Sequence, residues 1–131
     1  MPVLHASDAV VHELHGSVFT SYAAPARGSR ELCAWRLEVP PGSRGVPHTV
    51  SKEEVLLVLS GALRVTLGDA QPAAGPVAAA AVPGDAILVP AGTMLQVDNP
   101  GPEPATAWVT TSVGLEATIA DGSAIRPPWT Q

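Results

Sequence analysis

Cysteine and basic residues are both scarce in this sequence. It has one cysteine, Cys33, and seven Lys and Arg residues against twelve Asp and Glu, which gives a formal net charge of -5. A single cysteine cannot form an internal disulfide, so the chain is not one of the small domains that depend on disulfides for stability. We interpret Cys33 as a small buried hydrophobic residue. The few basic residues form no cluster, and we therefore expect no nucleic-acid partner.

Long apolar runs are missing as well. No run approaches the roughly 20 residues that a membrane-spanning helix needs. The N-terminal residues lack the basic stretch and apolar run that mark a signal peptide. These absences predict a cytoplasmic protein with no membrane association.

Aromatic residues make up only 4% of the chain, whereas glycine and proline are abundant, with 12 and 14 residues. Frequent turns keep the elements between them short, which favours an all-β barrel or sandwich over a helical fold. The length of 131 residues fits one domain and is enough to bury a core without disulfides or a structural metal.

Several segments have the pattern of strands. Residues 31–39 alternate, with Cys33, Trp35, Leu37 and Val39 on one face. Residues 54–59 are almost wholly apolar, which predicts a strand covered on both faces. With residues 60–61 as a turn, residues 54–59 and 62–67 predict a β-hairpin. Residues 77–82 are bracketed by prolines and are predicted as a short strand. Near the end of the chain, we expect Trp129 to anchor the tail against the barrel or a partner subunit.

Two segments carry a pattern of glycine, proline and polar residues at fixed spacing. The first is Gly42, five residues, His48, one residue, Val50, three residues, Glu54, six residues and Gly61. The second is Gly84, five residues, Pro90, one residue, Gly92, two residues, Leu95, three residues and Asn99. Both resemble the two halves of the cupin signature, in which histidines stand where this chain has Val50 and Leu95. Every spacing matches that signature.

The resemblance implies an all-β fold, a double-stranded β-helix or jelly-roll barrel, as a single domain over residues 1–131. The barrel core is expected at about residues 31–113, with an N-terminal strand or arm at 1–30 and a C-terminal tail at 114–131. Cupins are usually dimers, so we expect a homodimer to which residues 10–22 contribute.

In typical cupins three histidines and one glutamate bind a transition metal, and this chain resembles that site at His48 and Glu54 only. Val50 and Leu95 have no lone pair to donate, and two ligands hold a metal weakly. We therefore expect a degenerate metal site and no cofactor. The alternative is a divalent Fe, Mn, Ni, Cu or Zn ion held by His48 and Glu54 and completed by substrate.

Other residues near these positions are weaker candidates for a third ligand. His12 and His15 would have to fold over the barrel mouth, and otherwise lie on the surface or at a subunit contact. Gln96 and Asp98 have the wrong parity if Leu95 points inward. Parity with His48 likewise selects Glu54 over Glu53, which we expect to be solvated.

The loss of two histidines makes the expected pocket more apolar, which suits an apolar or aromatic small molecule. Its predicted lining is Val50, Leu95, Val97, Asn99, Trp35, Trp108, Met94 and Val58. For Trp35, Trp108, Met94 and Val58 the alternative is ordinary core packing.

His48 and Glu54 in such a pocket are expected to titrate near neutral pH, as general acid–base catalysis requires. The sequence thus favours a metal-independent enzyme that isomerises, dehydrates or cyclises an apolar metabolite. Its composition resembles that of actinobacterial proteins, whose small cupins often accompany natural-product pathways. The alternatives are a non-catalytic ligand-binding or sensing cupin, a metal-dependent dioxygenase or isomerase, and an inert hydrogen-bonded His48–Glu54 pair.

Overall fold

The computed structural model describes residues 3–68 and 75–131, and these residues form twelve short strands. The strands are β1 Val10–Leu14, β2 Ser17–Ala23, β3 Leu32–Val39, β4 His48–Val50, β5 Glu54–Ser60, β6 Leu63–Gly68, β7 Val77–Ala81, β8 Ala86–Val89, β9 Met94–Asp98, β10 Ala105–Ser112, β11 Ala117–Ile119 and β12 Ala124–Ile125. Single 3₁₀ turns lie at Ala6–Asp8, Pro25–Arg27 and Pro128–Thr130. The described ranges contain no helix long and apolar enough to cross a membrane.

The strands form two six-stranded sheets. The first has the order β1-β2-β3-β10-β5-β8 and the second the order β12-β11-β4-β9-β6-β7, and the named strands pair antiparallel. Consecutive strands alternate between the sheets over much of the chain, so the two sheets enclose one core, as in a jelly roll. The predicted all-β jelly-roll fold is confirmed. The predicted strand at 77–82 is also confirmed, as β7.

Alternation along each strand decides which side chains reach the core. In β3 the predicted face is buried, with Cys33 fully inaccessible and Trp35 only 3% exposed. In β5 the inward residues are buried, but Val55, Leu57 and Leu59 on the other face are 38–46% exposed. The prediction that this strand is covered on both faces is therefore wrong. Its outer face is apolar, and no described element packs over it.

The predicted hairpin of β5 and β6 is also wrong, because the two strands belong to different sheets. The chain crosses between the sheets at Gly61, which has a φ of +70°. A Cβ at this position would lie 2.5 Å from the Pro104 carbonyl oxygen and 2.8 Å from the Ala105 Cα. Glycine is required here by both the backbone angle and the close approach.

Both ends of the chain are incorporated into the sheets. Strands β1 and β2 extend the first sheet, and β11 and β12, from the segment predicted as a tail, extend the second. Trp129 is buried and stacks on Phe19, with ring centroids 3.7 Å apart. Ser21 Oγ donates a hydrogen bond to the Trp129 carbonyl at 2.9 Å. The expectation that Trp129 anchors the end of the chain against the barrel is confirmed.

Candidate functional site

A cavity of about 380 Å³ lies between the two sheets. Its wall is mainly apolar and includes Leu37, Leu56 and Val109 from the first sheet. A volume of this order is at the lower end of the range of small-molecule sites, roughly 300–1,000 Å³. A second groove, of about 410 Å³, runs between the edge strands β7 and β8 and is lined by alanine and larger aliphatic residues. Asp85 is its one titratable residue within the described chain, and its carboxylate already accepts a hydrogen bond from the Val82 amide. The first cavity is therefore the candidate site.

Glu54 is the buried acid of the cavity. It begins β5 with its side chain inward and is only 5% exposed, whereas Glu53 beside it is exposed, as parity predicts. Burial raises the pKa of the Glu54 carboxyl from 4.5 to about 7, because the charged form loses its hydration. The carboxyl makes no hydrogen bond to any described residue. Glu54 is thus an unpaired carboxyl group that carries a proton for much of the neutral pH range.

His48 reaches the same cavity from the opposite sheet. It begins β4, is half-buried, and has its Nδ1 2.9 Å from the Val46 carbonyl oxygen. A carbonyl only accepts hydrogen bonds, so this contact assigns the hydrogen to Nδ1 and leaves Nε2 with the lone pair of the neutral ring. No hydrogen bond or ion pair joins His48 to Glu54 in the described structure. The hydrogen bond that one alternative assumed between His48 and Glu54 is therefore absent from the described structure.

The wall also contains an indole donor without a partner. Trp35 lines the cavity, and its Nε1 is buried with no acceptor among the described residues. Leaving a buried donor unpaired costs roughly 1–3 kcal/mol. The indole nitrogen itself is inaccessible, so the Glu54 carboxyl is the unpaired polar group of the mainly apolar inner wall, a pattern typical of ligand sites.

Four of the predicted lining residues line this cavity. They are Trp35, Val50, Leu95 and Val97. Each lies on the inward face of its strand, and Val50 and Leu95 are 1% and 2% exposed. The two positions at which the chain departs from the cupin histidines are therefore apolar wall.

Two residues predicted to line the cavity, Trp108 and Met94, point away from it, so the prediction is wrong for both. Trp108 follows the opposite parity to Val109 and packs on Tyr22, with ring centroids 5.2 Å apart. Met94 has the opposite parity to Leu95, and its side chain packs against Gly68, where an added Cβ would lie 2.9 Å from the Met94 Cβ. Strand alternation alone would have excluded both residues.

The other two, Val58 and Asn99, are buried but lie outside the lining, which corrects the prediction for them as well. Val58 points inward into the packed core beside Ala107. The Asn99 amide donates to the carbonyls of Val39 and Glu103, at 3.1 and 2.8 Å, and its oxygen accepts from the Gly101 amide. Asn99 therefore fixes the loop after β9, and its hydrogen-bonding groups are occupied by the backbone.

Two residues at the cavity mouth complete the site. His15, weighed as a distant ligand candidate, does line the cavity, whereas His12 does not and lies near Trp129, with ring centroids 6.4 Å apart. Arg44 lines the cavity too and was missed from the sequence. Its position between Gly42 and His48 was the available signal, since the loop that delivers His48 must itself border the pocket.

The residues present do not fit a four-ligand metal centre. His48 and Glu54 occupy two of the four family positions, and the side chains of Val50 and Leu95 have no donor atom. Across residues 3–68 and 75–131, no three His, Cys, Asp or Glu side chains come together in a way that suits a metal ion. Cys33 offers nothing further, because it is buried away from the cavity and burial raises the pKa of its thiol.

Solved structures give independent evidence on the fold. The polyketide cyclase RemF from Streptomyces resistomycificus is 20% identical and superimposes with a TM-score of 0.71, over 86% of this chain and 79% of that one. The Momordica charantia 7S globulin is 17% identical with a TM-score of 0.75, over 91% of this chain and 37% of that one. A tryptophan-to-phenylalanine variant of the oxalate decarboxylase from B. subtilis is 19% identical with a TM-score of 0.73, over 92% and 31%. The chain thus spans most of RemF but only about a third of the other two.

Curated proteins and family models give different results. No curated protein matches this sequence. The family model for the cupin domain matches residues 35–112, which include both spaced motifs and more than half of the chain. The protein therefore belongs to the cupin family.

Proposed function

We propose that this cupin is a metal-independent enzyme that binds an apolar small molecule and transfers protons with Glu54 and His48. The observation that carries the proposal is the unpaired Glu54 carboxyl, which is buried in an apolar cavity and has its pKa raised to about 7. A group with this pKa can both hold and release a proton at neutral pH, which is the requirement for efficient acid–base catalysis.

The roles of the two residues follow from their chemistry. Protonated Glu54 donates its proton to a carbonyl or departing hydroxyl oxygen of the substrate. The neutral His48 ring, with its hydrogen on Nδ1, accepts a proton at Nε2 from the adjacent carbon. One proton is gained and one is lost by the substrate, so the step is an enolisation or a dehydration without redox change. The Nδ1 bond to Val46 orients the ring and fixes the tautomer.

The reaction classes that such a pair serves are isomerisation, dehydration and cyclisation. Cyclisation is the activity named for RemF, whose fold this chain shares. That likeness supports a place for the protein in natural-product biosynthesis, with a polyketide-like or aromatic metabolite as substrate. An apolar wall with few polar groups suits a ligand of this kind.

The proposal is tested with a generic proton-transfer substrate, 5-nitrobenzisoxazole, whose base-catalysed ring opening is followed by absorbance. We expect the protein to accelerate this reaction. Glu54 is the acid of the pair while it is protonated, but its ionised form is a base, so the rate should rise through about pH 7 as Glu54 ionises. Glu54→Gln should lower the rate by about 100-fold or more. The neighbouring exposed Glu53→Gln is the matched control and should leave it unchanged. Equal rates in the Glu54→Gln variant and the original protein would refute the catalytic role.

We also propose that the protein is a cytoplasmic homodimer formed through β1. This strand pairs with β2 on one side, and no described strand pairs with its other edge. Its residues Val10 and Val11 are 49% and 63% exposed. An unpaired edge with exposed β-branched residues is a suitable surface for pairing with a second copy.

A further inference from the structure

The cavity opens at a rim that contains three basic side chains. His15 lies in the tight turn between β1 and β2, and Arg44 and His48 belong to the loop and strand that follow β3. A Cβ at Gly16 would lie 3.6 Å from Pro40 Cγ, so the β1–β2 turn packs against the chain as it leaves β3. The turn and the loop therefore border the same part of the cavity.

The loop holds Arg44 in place from both sides. Ser43 exchanges backbone hydrogen bonds with Asn99, at 2.9 and 3.0 Å. Gly45 donates its amide to Asp98 Oδ1 at 2.7 Å and has no room for a Cβ against the Val97 carbonyl. With both of its neighbours fixed to β9 and its end, Arg44 starts from an ordered backbone, so less conformational entropy is lost when its side chain binds a ligand.

The charge of Arg44 is uncompensated. Its guanidinium stays protonated in any protein, and it forms no ion pair with a described carboxylate. Asp98, which is hydrogen-bonded to this loop, already accepts from the Gly45 amide and from Gln96 Nε2, the latter at 3.1 Å. The lining contains one carboxyl group, that of Glu54, against three basic residues, although the whole chain has a net charge of -5. The rim thus has one permanent positive charge, that of Arg44, and two imidazole rings, on a chain that is acidic as a whole.

We propose that the ligand of this cavity is an amphipathic anion, an apolar ring system with a carboxylate or similar oxyanion that Arg44 and His15 hold at the rim. The inference rests on the proposed function, since it assigns a substrate class to the same cavity. Arg44 supplies the permanent charge and a fork of donors that matches an oxyanion. His15 adds a ring donor, and the apolar wall behind the rim accepts the ring system.

Two naphthalene dyes that differ by one anionic group test the inference. The first is 8-anilinonaphthalene-1-sulfonate, and the second is N-phenyl-1-naphthylamine, which is the same ring system without the sulfonate. Each is titrated by fluorescence, and displacement of one by the other shows that both occupy the cavity. We expect the sulfonate to bind more tightly than the neutral dye, and its affinity alone to fall with added NaCl.

The variants remove the basic groups without disturbing the wall. The double variant Arg44→Gln/His15→Asn should weaken sulfonate binding about tenfold and leave the neutral dye unchanged. Asparagine is chosen because His15 has a φ of 51°, which asparagine tolerates well. Arg30→Gln removes one exposed positive charge away from the cavity and should change neither affinity.

The outcomes separate this inference from the proposed function. The proposal of an anionic ligand is overturned if the neutral dye binds as tightly as the sulfonate or more tightly. It is also overturned if the double variant leaves the sulfonate affinity unaltered. In both cases the apolar cavity remains a binding site. Failure of both dyes to bind overturns the small-molecule site itself, and the inference with it. The salt dependence of the unaltered protein decides the question even if the double variant fails to fold.

Discussion

Glu54 and His48 line one cavity from opposite sheets without bonding to each other. Each therefore keeps a proton-transfer atom free, the carboxyl oxygens of Glu54 and Nε2 of His48. An ion pair between them would stabilise the Glu54 carboxylate and lower its pKa. Burial raises the pKa of Glu54 to about 7, and no ion pair with His48 offsets this shift.

The burial of Glu54 should make the free energy of unfolding depend on pH. The pKa of Glu54 is about 7 in the folded chain and 4.5 when exposed on unfolding, so the folded state binds the proton more tightly. Below 4.5 both states are protonated. Between 4.5 and 7 the unfolded state ionises first, and the free energy of unfolding falls by about 3 kcal/mol as the pH rises. The Glu54→Gln variant has no carboxyl group at this position and so does not lose this free energy. The difference in free energy of unfolding between the variant and the unaltered protein should therefore shift in favour of the variant from pH 5 to pH 8.

Denaturant unfolding of both proteins at the two pH values measures this difference. Glu53→Gln is the control, because Glu53 is exposed and its removal should give a difference that does not vary with pH. A difference for Glu54→Gln that is equally flat would show that Glu54 ionises in the folded state at its ordinary pKa.

Gly61 is predicted to be one of the least replaceable glycines. Gly61→Ala combines a positive φ with a Cβ 2.5 Å from the Pro104 carbonyl oxygen, and we expect a loss of roughly 3 kcal/mol. Gly42 has a similar φ of +67° but nothing within 4 Å of an added Cβ, so Gly42→Ala measures the strain alone, about 1 kcal/mol. Equal losses in the two variants, measured by denaturant unfolding, would mean that the close approach at the sheet crossover has no energetic cost.

The local sequence pattern predicted the fold more completely than the site. Alternation in residues 31–39 and the glycines at turns predicted strands and turns, and the resemblance of the two spaced motifs to the cupin signature implied the jelly roll. The pairing of β5 was not predictable from its own residues. An apolar run joined to another strand by Ser60-Gly61 has the appearance of a hairpin, and only the contact of Gly61 with residues 104–105, some forty positions away, shows the crossover.

In the site, too, the residues on strands could be predicted from the sequence, whereas the residues placed by long-range contacts could not. The resemblance to the cupin signature pointed to His48, Glu54, Val50 and Leu95, parity added Val97, and all five line the cavity. Trp108 and Met94 were misplaced although parity excluded them. Arg44 was not predicted, because loop residues have no periodicity that says where their side chains lie. The β1–β2 turn borders the mouth of the cavity because it contacts the chain at the end of β3. A contact between segments this far apart in sequence cannot be predicted from a local pattern.

Restoring the two missing histidines should create a metal site. Val50→His/Leu95→His places imidazoles at both family positions beside His48 and Glu54, all four on the cavity wall. We expect this variant to bind about one Zn²⁺ per chain, measured by elemental analysis after dialysis, and the unaltered protein to retain none. The control Thr49→His/Thr66→His also adds two histidines, but both lie on the outward faces of β4 and β6, so it should retain no metal. Stoichiometric metal in the unaltered protein purified without chelator would contradict the metal-independent mechanism.

The homodimer proposal predicts which of two exposed apolar surfaces is an interface. Val11→Lys places a charge on the exposed edge strand β1, where it should prevent pairing with a second copy and give a monomer by light scattering. Leu57→Lys alters the outer face of β5, which is also apolar and 38% exposed at this residue, and should leave a dimer. Both positions are exposed, so neither change should unfold the barrel. If Leu57→Lys dissociates the dimer and Val11→Lys does not, the interface is the outer face of the first sheet, and the apolar residues Val55, Leu57 and Leu59 are explained by it. A monomeric unaltered protein would exclude both interfaces.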